Sequence, residues 1–67
     1  MNTLNEMPSS GSFVAVWVNF GEIWSDTHKH IGGELYVFDC GEWKPCEVAE
    51  FYKRKGAKFI VGDEVHG

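Results

Sequence analysis

The segment from Phe13 to Val18 constrains the fold most, because it is apolar on both sides. Successive side chains of an extended chain point to opposite faces, so Phe13, Ala15 and Trp17 share one face and three valines share the other. A half-solvated strand would alternate apolar with polar residues. One face must therefore meet the core of the domain, and the other needs a covering helix, a curled sheet or an outside partner.

Three later segments begin alike, with a Gly-Glu pair at Gly21, Gly33 and Gly41. Each follows a turn-like stretch, and glycine permits the positive φ that such turns need before an extended run resumes. Shared turn chemistry explains this similarity better than a repeated binding motif does, and the pattern is typical of a β-meander. The predicted strands lie near 12–19, 22–27, 34–39 and 42–46.

After Pro45 the spacing of the apolar residues becomes that of a helix. Val48, Phe51 and Tyr52 recur at helical spacing, with acidic residues before them and basic residues after them. That order of charges complements a helix dipole and predicts a short helix near 46–55. The alternating apolar residues of 57–61 predict a final edge strand.

Together these segments predict an α+β fold, a small antiparallel β-meander of four to five strands with one short helix. Residues 1–11 show neither period and are expected to form a flexible N-terminal arm, so that residues 12–67 make a single β-rich domain. The chain has 67 residues, of which 43% are hydrophobic, which is enough for one packed core. It leaves little material for the walls of a deep catalytic cleft.

The histidines and cysteines are the plausible ligands for a soft metal in this sequence. His28, His30, Cys40 and Cys46 include no C-x2-C pair, although a structural zinc site takes four such ligands. We therefore expect no metal and no cofactor, and interpret the histidines as exposed turn residues and the thiols as small buried side chains. A zinc-stabilised mini-domain is the alternative that chelation would test.

The sequence carries no motif of catalysis. It has no G-x-S-x-G, no P-loop and no G-x-G-x-x-G, so we expect a protein that is not an enzyme. Lys53, Arg54 and Lys55 are interpreted as the charged end of a helix, and the pI near 5.2 argues against nucleic acid as a partner. No apolar run approaches a membrane span, so no membrane partner is expected. Two cysteines and the absence of a signal-peptide pattern in residues 1–12 indicate a cytoplasmic location.

Aromatic residues make up 15% of the chain, more than so small a core can readily hide. Protein interfaces favour tryptophan and tyrosine, so rings left at the surface would mark a binding face. Period-two spacing puts carboxylates beside such rings, which suits a partner with basic and apolar features. The predicted partner-binding residues are Trp24, Tyr36, Trp43, Glu22, Asp26 and Glu34.

Part of the chain resembles small phage and prophage accessory proteins of unknown function. The resemblance covers residues 7–52 and lacks the Trp-x-Pro-Leu-Pro ending often seen in them. The matching features are Met7-Pro8, Gly11, the valine-rich strand ending at Trp17, Gly-Glu-Trp at 41–43 and the pair Phe51-Tyr52. The resemblance implies a phage protein that binds a host protein in the host cytoplasm and inhibits or redirects it.

The competing hypothesis is a self-associating structural or assembly protein. It would form a homo-oligomer through an exposed strand edge, such as the predicted strand at 57–61.

Overall fold

The computed structural model describes residues 2–62. They form one six-stranded antiparallel sheet with a single short helix on one of its faces, and the strand order is β1-β6-β2-β3-β4-β5. The elements in chain order are β1 (Asn2–Leu4), β2 (Ser12–Asn19), β3 (Glu22–Ile31), β4 (Glu34–Asp39), β5 (Glu42–Pro45), α1 (Ala49–Lys55) and β6 (Lys58–Val61).

The meander β2-β3-β4-β5 is built from tight hairpins. At the first turn Phe20 and Gly21 have φ of 52° and 76°, and at the third Cys40 and Gly41 have 53° and 80°. Two consecutive positive φ values are what a type I′ turn requires, and this turn matches the twist of the flanking strands. Glycine adopts that conformation without strain, which explains why a glycine stands directly before each following strand.

The mostly β architecture with one short helix is confirmed, but four to five strands is too low a count. Asn2–Leu4, inside the segment expected to be an arm, forms β1 and pairs with β6. Three residues are too short to show a period in the sequence. The strand predicted at 57–61 is present as β6, but it lies between β1 and β2 and is not at the edge.

Helix α1 begins at Ala49, three residues later than predicted. The chain is still extended before it, because β5 runs to Pro45 and the Cys46 N–H donates to the Leu35 carbonyl at 3.1 Å. The helix ends as the sequence indicates, with Gly56 at φ 66° and its basic residues in the last turn. A left-handed glycine at this position is the usual way to end a helix.

The core lies between α1 and one face of the sheet. Phe13, Ala15 and Trp17 of β2 are buried there against Tyr52 of the helix and Phe59 of β6. The Tyr52 ring lies 5.1 Å from Trp17 and 5.8 Å from Phe59, between centroids. One helix of seven residues, about 10 Å long, therefore covers a single face of the sheet.

Candidate functional site

The β2-β3 hairpin extends beyond its neighbouring strands. All eight residues of β2 pair with β3, but β6 pairs only with residues 14–16 of β2 and β4 only with residues 28–31 of β3. Among the described residues, 17–24 consequently pair only with one another, and residues 25–27 pair with β2 but have no strand on their other side. We call this part the projecting hairpin.

Large apolar side chains are exposed on the projecting hairpin. Phe20 at its turn is 96% exposed, Ile23 76%, Val18 59% and Trp24 49%. Single exposed hydrophobic residues are ordinary, but several on one protruding element are typical of a contact surface. The β2 strand of the hairpin is held against α1, because Trp17 packs against Phe51 and Lys55 Nζ donates to Asn19 Oδ1 at 3.0 Å.

Two carboxylates flank Trp24 on its own side of the ribbon. Glu22 and Asp26 are two residues before and after it, so the three side chains share the face on which α1 packs. Both acids are exposed. The one ion pair found within residues 2–62 joins Lys44 to Asp39 at 3.5 Å, so the charges beside Trp24 have no cationic partner in that range.

The opposite face of the sheet, which α1 leaves uncovered, is also apolar, and we call it the open face. Tyr36, Phe38 and Trp43 lie at one side of it, where the Phe38 and Trp43 ring centroids are 5.1 Å apart. Lys29 Nζ lies 4.3 Å from the centroid of the Trp43 ring. The apolar residues assigned to this face by strand register are Val14, Val16, Val18, Ile23, Ile31, Tyr36, Phe38, Trp43, Pro45 and Ile60.

The six residues predicted to bind a partner lie on two different faces. Glu22, Trp24 and Asp26 are on the helix side of β3. The faces of the other three follow from strand register, since residues paired across two strands point to the same face. Lys29 lies on the open face and pairs with Tyr36, and Phe38, two residues after Tyr36, pairs with Trp43. Glu34, Tyr36 and Trp43 therefore lie on the open face, and the structure brings the six together only as two groups of three.

Sequence reasoning missed Phe20 and Ile23, which are among the most exposed large side chains. Both had a signal. Phe20 belonged to the aromatic surplus and stood directly before Gly21, while Ile23 followed the same turn. What was missing was knowledge of where the neighbouring strands end.

His28 is fully buried on β3, so its interpretation as an exposed turn residue is wrong. Strand β3 runs on to Ile31 because the turn comes only at Gly32 and Gly33. His28 Nδ1 lies 3.2 Å from the Tyr36 carbonyl, which can only accept, so Nδ1 carries the proton. The Tyr52 hydroxyl then donates to Nε2 at 2.7 Å.

Burial controls the charge of this pair. It lowers the pKa of His28, against the opposing effects of the Tyr36 carbonyl and of Asp26. It also raises the pKa of the Tyr52 hydroxyl, and Asp26 adds to that shift. Both groups are therefore neutral at pH 7, hydrogen-bonded and closed off from solvent, as expected of a structural element of the core.

The cysteines are free and differ in exposure. Cys40 is exposed at the β4-β5 turn, which corrects the expectation that it is buried, and Cys46 is half-buried with its Sγ 3.8 Å from His28 Nδ1. That nitrogen donates its proton to the Tyr36 carbonyl, so it has no lone pair to offer a metal. Residues 2–62 contain no group of three or more His, Cys, Asp or Glu side chains placed to share a metal ion.

Comparisons with protein-family models, with curated proteins and with solved structures find no match for this chain. No helix in the described part of the chain has both the length and the apolar character needed to cross a bilayer.

Proposed function

We propose that this protein is a small binding protein that docks on a host protein through its projecting hairpin and inhibits or redirects that partner in the host cytoplasm. Trp24 and Phe20 are the apolar anchors, and Glu22 and Asp26 are the charged groups beside them. The resemblance to phage accessory proteins supports a host protein as the partner. The exposed apolar tip of a ribbon that neighbouring strands leave unpaired is the observation that carries the proposal.

The conformation of Phe20 supports a role outside the fold. A bulky residue at φ 52° costs about 1 kcal/mol relative to glycine, since its Cβ approaches the following carbonyl oxygen. The 96% exposed ring recovers none of that cost through burial within the described chain. Asparagine or glycine would make the same turn more favourably. Strained residues persist where something other than stability requires them, and contact with a partner is such a requirement.

The charges of the hairpin define the chemistry of the partner. Glu22 and Asp26 flank Trp24 on one face, so the complementary surface has a pocket for an indole ring with Lys or Arg side chains on both sides of it. Charge pairs at the rim of such an interface increase the association rate and make it sensitive to salt.

Docking requires little reorganisation of the hairpin. Trp17 is packed under α1, and Lys55 ties the helix end to Asn19 at the outer end of β2. An anchor presented by a rigid ribbon loses little conformational entropy on binding, which favours affinity. A ribbon two strands wide also fits into a groove, and occupying a groove is a direct way to block or redirect the partner's own interactions.

The test begins with capture of partners from a bacterial lysate and continues with the purified partner. Trp24→Ala and Phe20→Asn are each expected to weaken its binding by roughly tenfold or more, as loss of an interface anchor does. The double variant Glu22→Gln/Asp26→Asn should lower the association rate at low salt and leave the dissociation rate nearly unchanged.

Leu4→Ala is the matched control. Leu4 is also a large exposed apolar residue, at 37%, but lies on the distant edge strand β1. Circular dichroism of each variant establishes that it is folded. Equal affinity of wild type, Trp24→Ala and Phe20→Asn for the purified partner would refute the proposal, as would loss of binding in Leu4→Ala alone.

A further inference from the structure

No second layer of the described chain packs on the open face. Domains bury each apolar face of a sheet against another layer, and the described chain supplies a layer only on the helix side. Val18 is 59% exposed and Phe38 45%. The aromatic cluster at β4 and β5 lies on one side of this face, and the valines of β2 continue to Ile60 of β6 on the other. Between them β3 contributes Ser25, Thr27 and Lys29.

We infer that a second copy of this chain covers the open face, sheet against sheet, to give a two-fold dimer with layers in the order helix, sheet, sheet, helix. Two twisted antiparallel sheets pack in this way with their strands aligned within about 30° and their backbones about 10 Å apart. Both inner faces then become buried and both helices stay outside. This surface is distinct from the helix side of the hairpin, where Trp24 and its carboxylates lie.

The size of the face is sufficient for a stable dimer. The Cα atoms extend over 36 × 24 × 21 Å, and a sheet covered on one face by a helix has its broad side along the two longer dimensions. A rectangle of 36 × 24 Å encloses an area comparable with the roughly 800 Å² that each partner buries in a standard protein interface. A partner that contacted only one hairpin or one edge would leave most of this surface in water.

The distribution of charge favours an identical partner over an oppositely charged one. The middle of the open face holds apolar and hydroxyl side chains, among them Val14, Val16, Ser25 and Thr27. In a two-fold interface each residue meets the same region of the other copy, so an uncharged centre brings no like charges together. The charged residues on this face are Lys29, beside the Trp43 ring, Glu34 near one end of the sheet and Lys58 on β6.

Sedimentation of the wild-type chain from about 1 µM to about 1 mM tests the inference, a range that covers weak and moderate dimers. The mass should rise from 7.6 kDa toward twice that value and no further. Thr27→Glu puts a carboxylate at the centre of the open face on a side chain that is already exposed, so the fold should tolerate it. It should raise the dimer dissociation constant by roughly tenfold or more. Phe38→Glu is a second variant at a different strand.

Ala49→Glu is the matched control, because it adds the same charge at an exposed position of α1 on the opposite side of the sheet. It should leave the dissociation constant unchanged, and Trp24→Ala should do the same, which separates this dimer from the proposed host-protein site. A wild type that stays at 7.6 kDa over the whole range, or grows beyond a dimer, overturns the inference. So does a dimer that persists in folded Thr27→Glu and Phe38→Glu, or one that dissociates in Trp24→Ala.

Discussion

The hydroxyl of Tyr52 donates a 2.7 Å hydrogen bond to Nε2 of His28, and through this bond α1 is joined to β3 in the middle of the core. The Phe13 ring stacks on a face of the imidazole, with centroids 5.1 Å apart. The only polar side chain that the described residues bury completely is therefore held between helix and sheet, with both of its ring nitrogens in hydrogen bonds.

Acid is expected to destabilise the protein through His28. Burial lowers the pKa of His28 in the folded state, so between that value and the ordinary histidine value of about 6.5 the unfolded chain binds more protons. The stability contributed by neutral His28 is complete above about pH 6.5 and is lost as the pH falls below it. Urea unfolding between pH 7.5 and pH 5 measures the change, and an NMR titration of the His28 ring assigns it. A free energy of unfolding that rises on acidification, together with a His28 ring that titrates above pH 6.5, would contradict this reasoning.

Removing the Tyr52 hydroxyl should destabilise the fold out of proportion to its size. Tyr52→Phe keeps the ring and its packing but leaves Nε2 of His28 buried without a donor, which costs about 1–3 kcal/mol. Chemical denaturation measures the loss. Tyr36→Phe is the control, because Tyr36 is half-buried on the open face, and its side chain should matter by less than about 0.5 kcal/mol. Similar effects of the two substitutions would mean that the bond to His28 contributes little.

Replacing Phe20 by asparagine should make the protein more stable. The left-handed conformation at this turn position suits asparagine, and relief of the strain on a bulky residue is worth about 1 kcal/mol. Thermal unfolding is the measurement. Phe20→Ala removes the same ring but keeps a Cβ with no compensating side chain, and should give no such gain. A loss of stability in Phe20→Asn would show that the ring makes a contact that stabilises the folded chain.

The two thiols should react at very different rates. Cys40 is exposed at the β4-β5 turn, whereas Cys46 is half-buried and its pKa is raised by burial and by Asp26. The thiolate is the reactive form, so Cys46 should lag well behind Cys40 toward a disulfide reagent under native conditions. Cys40→Ser should remove the fast phase and Cys46→Ser the slow one. A single phase of equal rate for both thiols would be inconsistent with the packing of Cys46 against His28.

Short-range chemistry made much of the fold predictable. The alternation from Phe13 to Val18 determines a strand with two apolar faces, the glycines after Phe20 and Cys40 determine the hairpin turns, and the charges around Tyr52 determine the direction and end of the helix. Each of these signals lies within a few residues of the element that it specifies. The three-residue strand β1 carried no such signal, because its stability comes from pairing with β6, more than fifty residues away in the chain.

The sites depended on relations that no local pattern contains. Which carboxylates lie beside which rings is decided by register between strands, and a shift of one residue exchanges the two faces of a sheet. Glu22, Trp24 and Asp26 were therefore correctly grouped within β3, but their separation from Tyr36 and Trp43 was visible only in the assembled sheet. The exposure of the hairpin and the burial of His28 were likewise decided by where β4, β6 and α1 end, which is a property of tertiary packing. The sequence by itself determined that β2 has two apolar faces, of which one meets the core and the other needs a covering helix, a curled sheet or an outside partner, since six consecutive apolar residues must point both ways. Only the tertiary structure decided which face that is, because one short helix can cover a single side.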